Sequence, residues 1–110
     1  MGIEIYKLLG PDAGESFTAT GIGIWVNLPG PNRAVSGILS NTTTPAATVE
    51  IHATNDPSEV PSANSLVATL TIAGALDSAK QITVNSFEYY CAKCTAISGA
   101  SASVSIRVGL

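Results

Sequence analysis

Short runs of aliphatic and β-branched residues follow one another along this chain, each closed by Gly, Pro, Asn or Asp. Inside the runs the apolar residues tend to recur at every second position, the period of a strand with one face on a core. Residues 3–9 (IEIYKLL) form the first predicted strand, stopped by Gly10, Pro11 and Asp12. The polar stretch 13–21 has room for a short strand around 16–20. GIGIWVNL (21–28) is predicted to place Ile22, Ile24, Val26 and Leu28 on one face and Trp25 and Asn27 on the other, before the Pro29-Gly30-Pro31-Asn32 break. RAVSGILS (33–40) comes next. ATVEIHAT (47–54) is predicted to turn Val49, Ile51 and Ala53 inward and Glu50, His52 and Thr54 outward.

A loop over 55–65 with two prolines leads to LVATLTI (66–72), KQITV (80–84), FEYYCAKCTAI (87–97) and ASVSIRV (102–108). Residues 73–79 are long enough for a helical turn and too short for a packed helix. No segment sustains the 3.6-residue period. About eight strands at this spacing predict a single all-β domain, a β-sandwich of jelly-roll type, with an immunoglobulin-like sandwich as the other arrangement that suits the count. Residues 1–20 are expected to form an N-terminal strand or an arm reaching a neighbour, and 21–110 the sandwich.

Composition adds a property of the surface. The 110 residues are 45% hydrophobic and 12% charged, with net charge −3. A typical soluble domain is about 25% charged. Charge keeps monomers apart, so a surface this neutral is expected to be covered by copies of the chain or by a partner. The basic residues Lys7, Arg33, Lys80, Lys93 and Arg107 are scattered. Phosphate neutralisation dominates nucleic-acid affinity, so nucleic acid is not an expected partner. No apolar run approaches the roughly 20 residues of a membrane helix. The start of the chain lacks a secretory h-region, and Tyr6 occupies the Ser/Thr position of a myristoylation pattern, so folding in a cytoplasm is expected.

Candidate chemistry is sparse. Cys91-Ala92-Lys93-Cys94 has the spacing of a redox dithiol or half a zinc site. A redox pair works at a helix N-terminus, and this one lies in a predicted strand, where residues i and i+3 are about 10 Å apart on opposite faces. A disulfide needs Cα atoms within about 7 Å. Zinc needs four ligands, and His52 is the single histidine. The strand period groups Cys94 with Tyr90, Ala92 and Ala96, and Cys91 with Tyr89, Lys93 and Thr95, with one thiol acting as a small core hydrophobe. His52 and Glu50 share a strand face, but no G-x-S-x-G elbow is present for a hydrolase. Asp56 and Glu59 form a loop pair that suits calcium less than it suits solvent. Gly21-Ile22-Gly23 precedes no helix and is no phosphate loop. The sequon Asn41-Thr42-Thr43 matters only on secretion. No catalytic residue, cofactor or metal is expected.

Trp25 is open to two readings: a sugar-stacking platform, or a Trp covered by the other sheet or by a subunit contact. The second fits a chain with so few aromatic residues. The apolar N-terminal residues Ile3, Ile5, Leu8 and Leu9 join Trp25 as candidate partner contacts.

The stretches ATVEIHATNDP, LVATLTIAG and FEYYCAKCTAISGASASVSIRVG follow one another in the C-terminal two thirds of the chain. Their layout resembles that of small bacteriophage virion proteins: a strand ending in S/T-N-D, a short strand, an aromatic-led strand running into T-A-I-S-G, and a closing strand ending in Gly. The chain is similar to capsid decoration, or cement, proteins. That resemblance implies a non-enzymatic structural protein on the outer capsid surface of the virion, bound to the major capsid protein. It also implies a homo-oligomer, dimer or trimer, at a capsid symmetry axis. Tail and head-fibre modules share such strands, so a carbohydrate- or receptor-binding module is the alternative. Cys94 stands where the pattern has a core aliphatic and Cys91 where it often has a basic residue, departures at positions without chemistry.

Overall fold

The computed structural model describes residues 6–12, 14–28, 33–40, 46–73, 79–84, 87–99 and 102–109. The strands are β1 (Tyr6–Leu8), β2 (Gly21–Ile22), β3 (Val26–Asn27), β4 (Arg33–Ser40), β5 (Ala46–Thr54), β6 (Leu66–Ala73), β7 (Ala79–Val84), β8 (Tyr89–Ser98) and β9 (Ser103–Gly109). Seven of these are three residues or longer, and β2 and β3 have two residues each. The described residues contain no helix, so the protein is all-β. The expected helical turn within 73–79 falls largely outside them.

The strands form two sheets in which every pair is antiparallel. One sheet runs β1-β9-β4-β7 and the other β2-β8-β5-β6, with β3 also on β8. The pairing is nested: β1 pairs with β9, β2 and β3 with β8, β4 with β7, and β5 with β6. The Cα radius of gyration, 13.2 Å, is that of one compact domain of this length.

Between the sheets lies a core of Leu9, Phe17, Leu28, Val35, Leu39, Val49, Ile51, Leu70, Ile72, Tyr90, Val104, Ile106 and Val108, with Cys94 and several alanines filling the smaller spaces. These are the alternate positions of strands predicted from the period, and the inward set of β5 (Val49, Ile51, Ala53) is as expected. Gly37, in the middle of β4, faces the methyl ends of Ile72, Ile106 and Leu70, at 2.9–3.3 Å from where a Cβ would stand. Its missing side chain is the space those three occupy. Gly99, at φ 108°, makes the turn from β8 to β9, a conformation open mainly to glycine.

Three single-residue irregularities alter the expected faces. On β8, Thr48 opposes Ala96 but Val49 opposes Cys94, so Thr95 is an extra residue. Tyr90, Ala92 and Cys94 accordingly point into the core, while Ala96, expected with them, is exposed and Ile97 turns inward. On β6, Ile51 opposes Ala68 and His52 opposes Leu66, leaving Val67 extra. Between β2 and β3, Ile22 opposes Lys93 and Val26 opposes Tyr90, so four steps on this side face three on β8. The predicted single strand 21–28 is therefore split. Its alternation breaks: Val26 and Leu28 face the core as expected, but Ile22 and Ile24 are 48% and 41% exposed.

The N-terminal segment adds to the same sandwich. β1 lies at the edge beside β9, Leu9 N–H donates to the Ile106 carbonyl (2.8 Å), and Phe17 exchanges two backbone bonds with Val104 (2.9 Å each). The short strand expected at 16–20 is this one bridge at Phe17. Residues 1–5 lie outside the described residues.

Candidate functional site

The candidate chemistry lies on β5 and β8, and their register determines where each group falls. On the outer face of the second sheet, Glu50 is paired with Lys93 and His52 with Cys91. Continuing the β3 register one residue back puts Trp25 level with Cys91. A row Trp25, Cys91, His52 therefore crosses this face, beside a row Ile22, Lys93, Glu50.

Strand alternation predicts that His52 and Thr54 face solvent. They do leave the sheet on its outer side, but both are buried, His52 to 1% exposure. The reason is the β5–β6 loop, which folds back over this end of the sheet. Ala53 N–H donates to the Ser65 carbonyl (2.9 Å), Glu88 N–H to the Asn55 side-chain oxygen (3.1 Å), and the Trp25 indole N–H to the Glu59 carbonyl (2.8 Å). Trp25 is half-buried, neither between the sheets nor an open platform. Its indole ties the β2–β3 connection to the loop.

His52 is held at both ring nitrogens: Nδ1 lies 2.9 Å from Ser65 Oγ and Nε2 3.0 Å from Glu50 Oε1. A carboxylate accepts only, so the Nε2 position carries hydrogen whenever Glu50 is ionised. Nδ1 then accepts the Ser65 hydroxyl hydrogen when the ring is neutral and donates to Ser65 Oγ when the ring is protonated. The three groups have the composition of a serine, histidine and acid triad, an association the sequence did not reveal. Its placement is that of a strut. Ser65 is 3% exposed, its Oγ accepts from Ser62 N–H (3.0 Å), and the Ser62 carbonyl lies 3.1 Å away as a second acceptor. A nucleophile needs a free line of attack, and this oxygen is enclosed by the turn it closes.

The loop is braced further by Asp56. Its carboxylate accepts from Ser58 N–H (3.0 Å) and Ser58 Oγ–H (2.7 Å), and these bonds hold its pKa below the ordinary aspartate value. The turn is thus strongest above the ordinary pKa of about 4 and loosens as pH falls through the lowered value. Asp56 and Glu59 do not assemble a cation site: among the described residues no group of three or more His, Cys, Asp or Glu side chains could hold a metal.

The two cysteines lie on opposite faces of β8, as the period requires. Cys94 is in the core at 1% exposure; Cys91 is on the outer face at 0%, under a cover that strand alternation does not foretell. Both are free thiols. Burial pushes Cys91 up to about 11 and raises Cys94 as well. Neither is a thiolate near neutral pH. In a thiol titration at pH 8 with an aromatic disulfide reagent, the native protein is expected to stay unreacted and the unfolded chain to yield both thiols. Rapid native reaction, or stoichiometric zinc, would mean that β8 is wrongly placed. Between about pH 9 and 11 the unfolded chain loses thiol protons that the folded chain keeps, so stability falls across that interval.

Of the candidate contacts, Leu9 is fully buried in the core and is removed from any surface role. Leu8 is half-buried on β1, and Ile3 and Ile5 lie outside the described residues. Among the described residues, the exposed large apolar side chains are Ile22, Ile24, Val60, Leu66 and Val67.

What fold and site define together is a two-sheet antiparallel β-sandwich whose polar cluster holds a loop. The chain matches no family model, no curated protein and no solved structure. No helix among the described residues is long and apolar enough to cross a membrane.

Proposed function

We propose that this chain is a bacteriophage capsid decoration protein of jelly-roll type, without enzymatic activity, which binds the major capsid protein on the outside of the shell and stabilises it. The single observation that carries the fold part is the nested pairing. With β2 and β3 counted as one interrupted strand, eight strands fold back as a hairpin of hairpins, first with last and inward to β5 with β6. Rolled into two sheets, that order supports a jelly roll, an architecture common in capsid and lectin domains. The resemblance of the 47–109 segment to virion proteins supports the setting. A neutral surface and the exposed apolar residues Ile22, Ile24, Leu66 and Val67 suit contacts repeated over a lattice, where several weak contacts sum to firm attachment.

The polar cluster supports the non-enzymatic part of the reading. Ser65, His52 and Glu50 stand where the loop must be anchored, and the hydroxyl has no approach from solvent. The position of the chain in intact virions tests the proposal.

A further inference from the structure

A two-sheet sandwich has four edges, and each edge strand offers unpaired backbone groups to any strand that can reach it. Three of the four edges here carry features that discourage pairing. On the first sheet, β1 is three residues long and carries Lys7, and β7 carries Lys80 within six residues. On the second sheet, the edge beside β8 is broken into β2 and β3 around Gly23. The fourth edge, β6, has eight residues, LVATLTIA, with no charge, no proline and no glycine. Among the described residues it pairs with β5 alone. Its only irregularity, at Val67, lies near one end and leaves Ala68–Ala73 in regular register with β5.

We propose that β6 is the self-association edge of this protein, pairing antiparallel with β6 of a second copy across a two-fold axis. The strand selects a second copy in three ways. It is neutral, so a dyad sets no like charges against each other, and a charged peptide would find no counter-charge on the strand. Antiparallel self-pairing preserves the faces, since Leu70 and Ile72 point inward and Thr69 and Thr71 outward. The inner residues of the two copies thus extend one core side by side, and the threonines meet as outer-face pairs, which stabilise antiparallel strands. Leu66 and Val67, 39% and 36% exposed, lie at the end of the same strand and add apolar area to the contact. The contact is isologous and closes after two copies, which prevents the edge from seeding fibres.

The inference deepens the proposed function and rests on it only for its setting, two copies at a capsid symmetry axis. The association itself is decided in solution. A single strand pair is a small interface, so a dissociation constant on the order of micromolar is expected. Sedimentation equilibrium of the full chain at roughly 100 µM should therefore give a dimer mass. Thr71→Lys and Thr71→Glu, both at an exposed position, should each weaken the dimer about tenfold or more at low salt while circular dichroism and Tm stay those of the parent. Mixing the two variants should restore a dimer through opposite charges. A monomeric parent, a trimer, an unchanged mass for Thr71→Lys, or a mixture that stays monomeric would overturn the proposal. None of these results depends on whether the chain is found on a capsid, and a dimer absent from capsids would leave the edge assigned while removing the setting.

Discussion

Tyr90→Ala is expected to destabilise the fold by about 3–5 kcal/mol, the cost of deleting a large aromatic from a core that cannot close around the gap. Tyr90 is fully buried, is the largest enclosed side chain among the described residues, and sits on β8, which holds β5 on one side and β2 and β3 on the other. Its hydroxyl also accepts a hydrogen bond from Phe87 N–H (3.0 Å) at the entry to the strand. Removing the ring therefore leaves a cavity and an unpaired backbone donor together, and the second adds to the first. Tyr90→Phe keeps the ring and loses the hydroxyl, so it should cost about 1–2 kcal/mol. Urea unfolding separates the two. Equal losses for Ala and Phe would mean that packing at Tyr90 contributes little, against the core described above.

Gly23→Ala is the second large effect, and it arises from backbone instead of core volume. Gly23 lies in the break between β2 and β3, where its N–H donates to the Ala92 carbonyl (2.8 Å). A Cβ there would stand 2.9 Å from the same carbonyl oxygen and run into the Gly10 carbonyl oxygen. Both obstacles are main chain and neither can swing aside, so the β2–β3 connection or the Gly10 turn must move. The expected loss is about 3 kcal/mol. Gly21, two residues earlier, has nothing within 4 Å of where a Cβ would stand, and Gly21→Ala should change stability by less than about 0.5 kcal/mol. Thermal unfolding of the pair is the measurement, because the same Gly-to-Ala change is made two residues apart. Similar Tm values would contradict the close approach of the three segments.

These two residues also show what was legible in the chain. The strands over 33–40 and 47–54 can be read because each has a regular core face and a clear turn on both sides. The same rule fails at Thr95, Val67 and the 22–26 stretch. One extra residue reverses every face beyond it, and no residue type marks the insertion, so simple alternation puts Ala96, Ile22 and Ile24 on the wrong side. The order of strands is not legible because β1 meets β9 and β4 meets β7 across long stretches of chain, and nothing local records such a pairing. Burial of His52 and Cys91 is hidden for a related reason. Their strands place them outward; residues 55–65 return over His52 through Ser65, and Trp25, level with Cys91, is tied to that loop at Glu59. The C-x-x-C spacing, by contrast, is correctly separated by strand geometry alone, since Cys91 and Cys94 do lie on opposite faces of β8.

Attachment of this chain to the outer capsid surface is tested most directly by a cryo-electron microscopy reconstruction of virions that contain it. The expected map shows a two-sheet sandwich about 38 × 37 × 21 Å repeated on the outside of the capsid lattice, with β6 edges meeting at two-fold positions. Density for the chain on the tail or head fibres, with a bare capsid exterior, would contradict it.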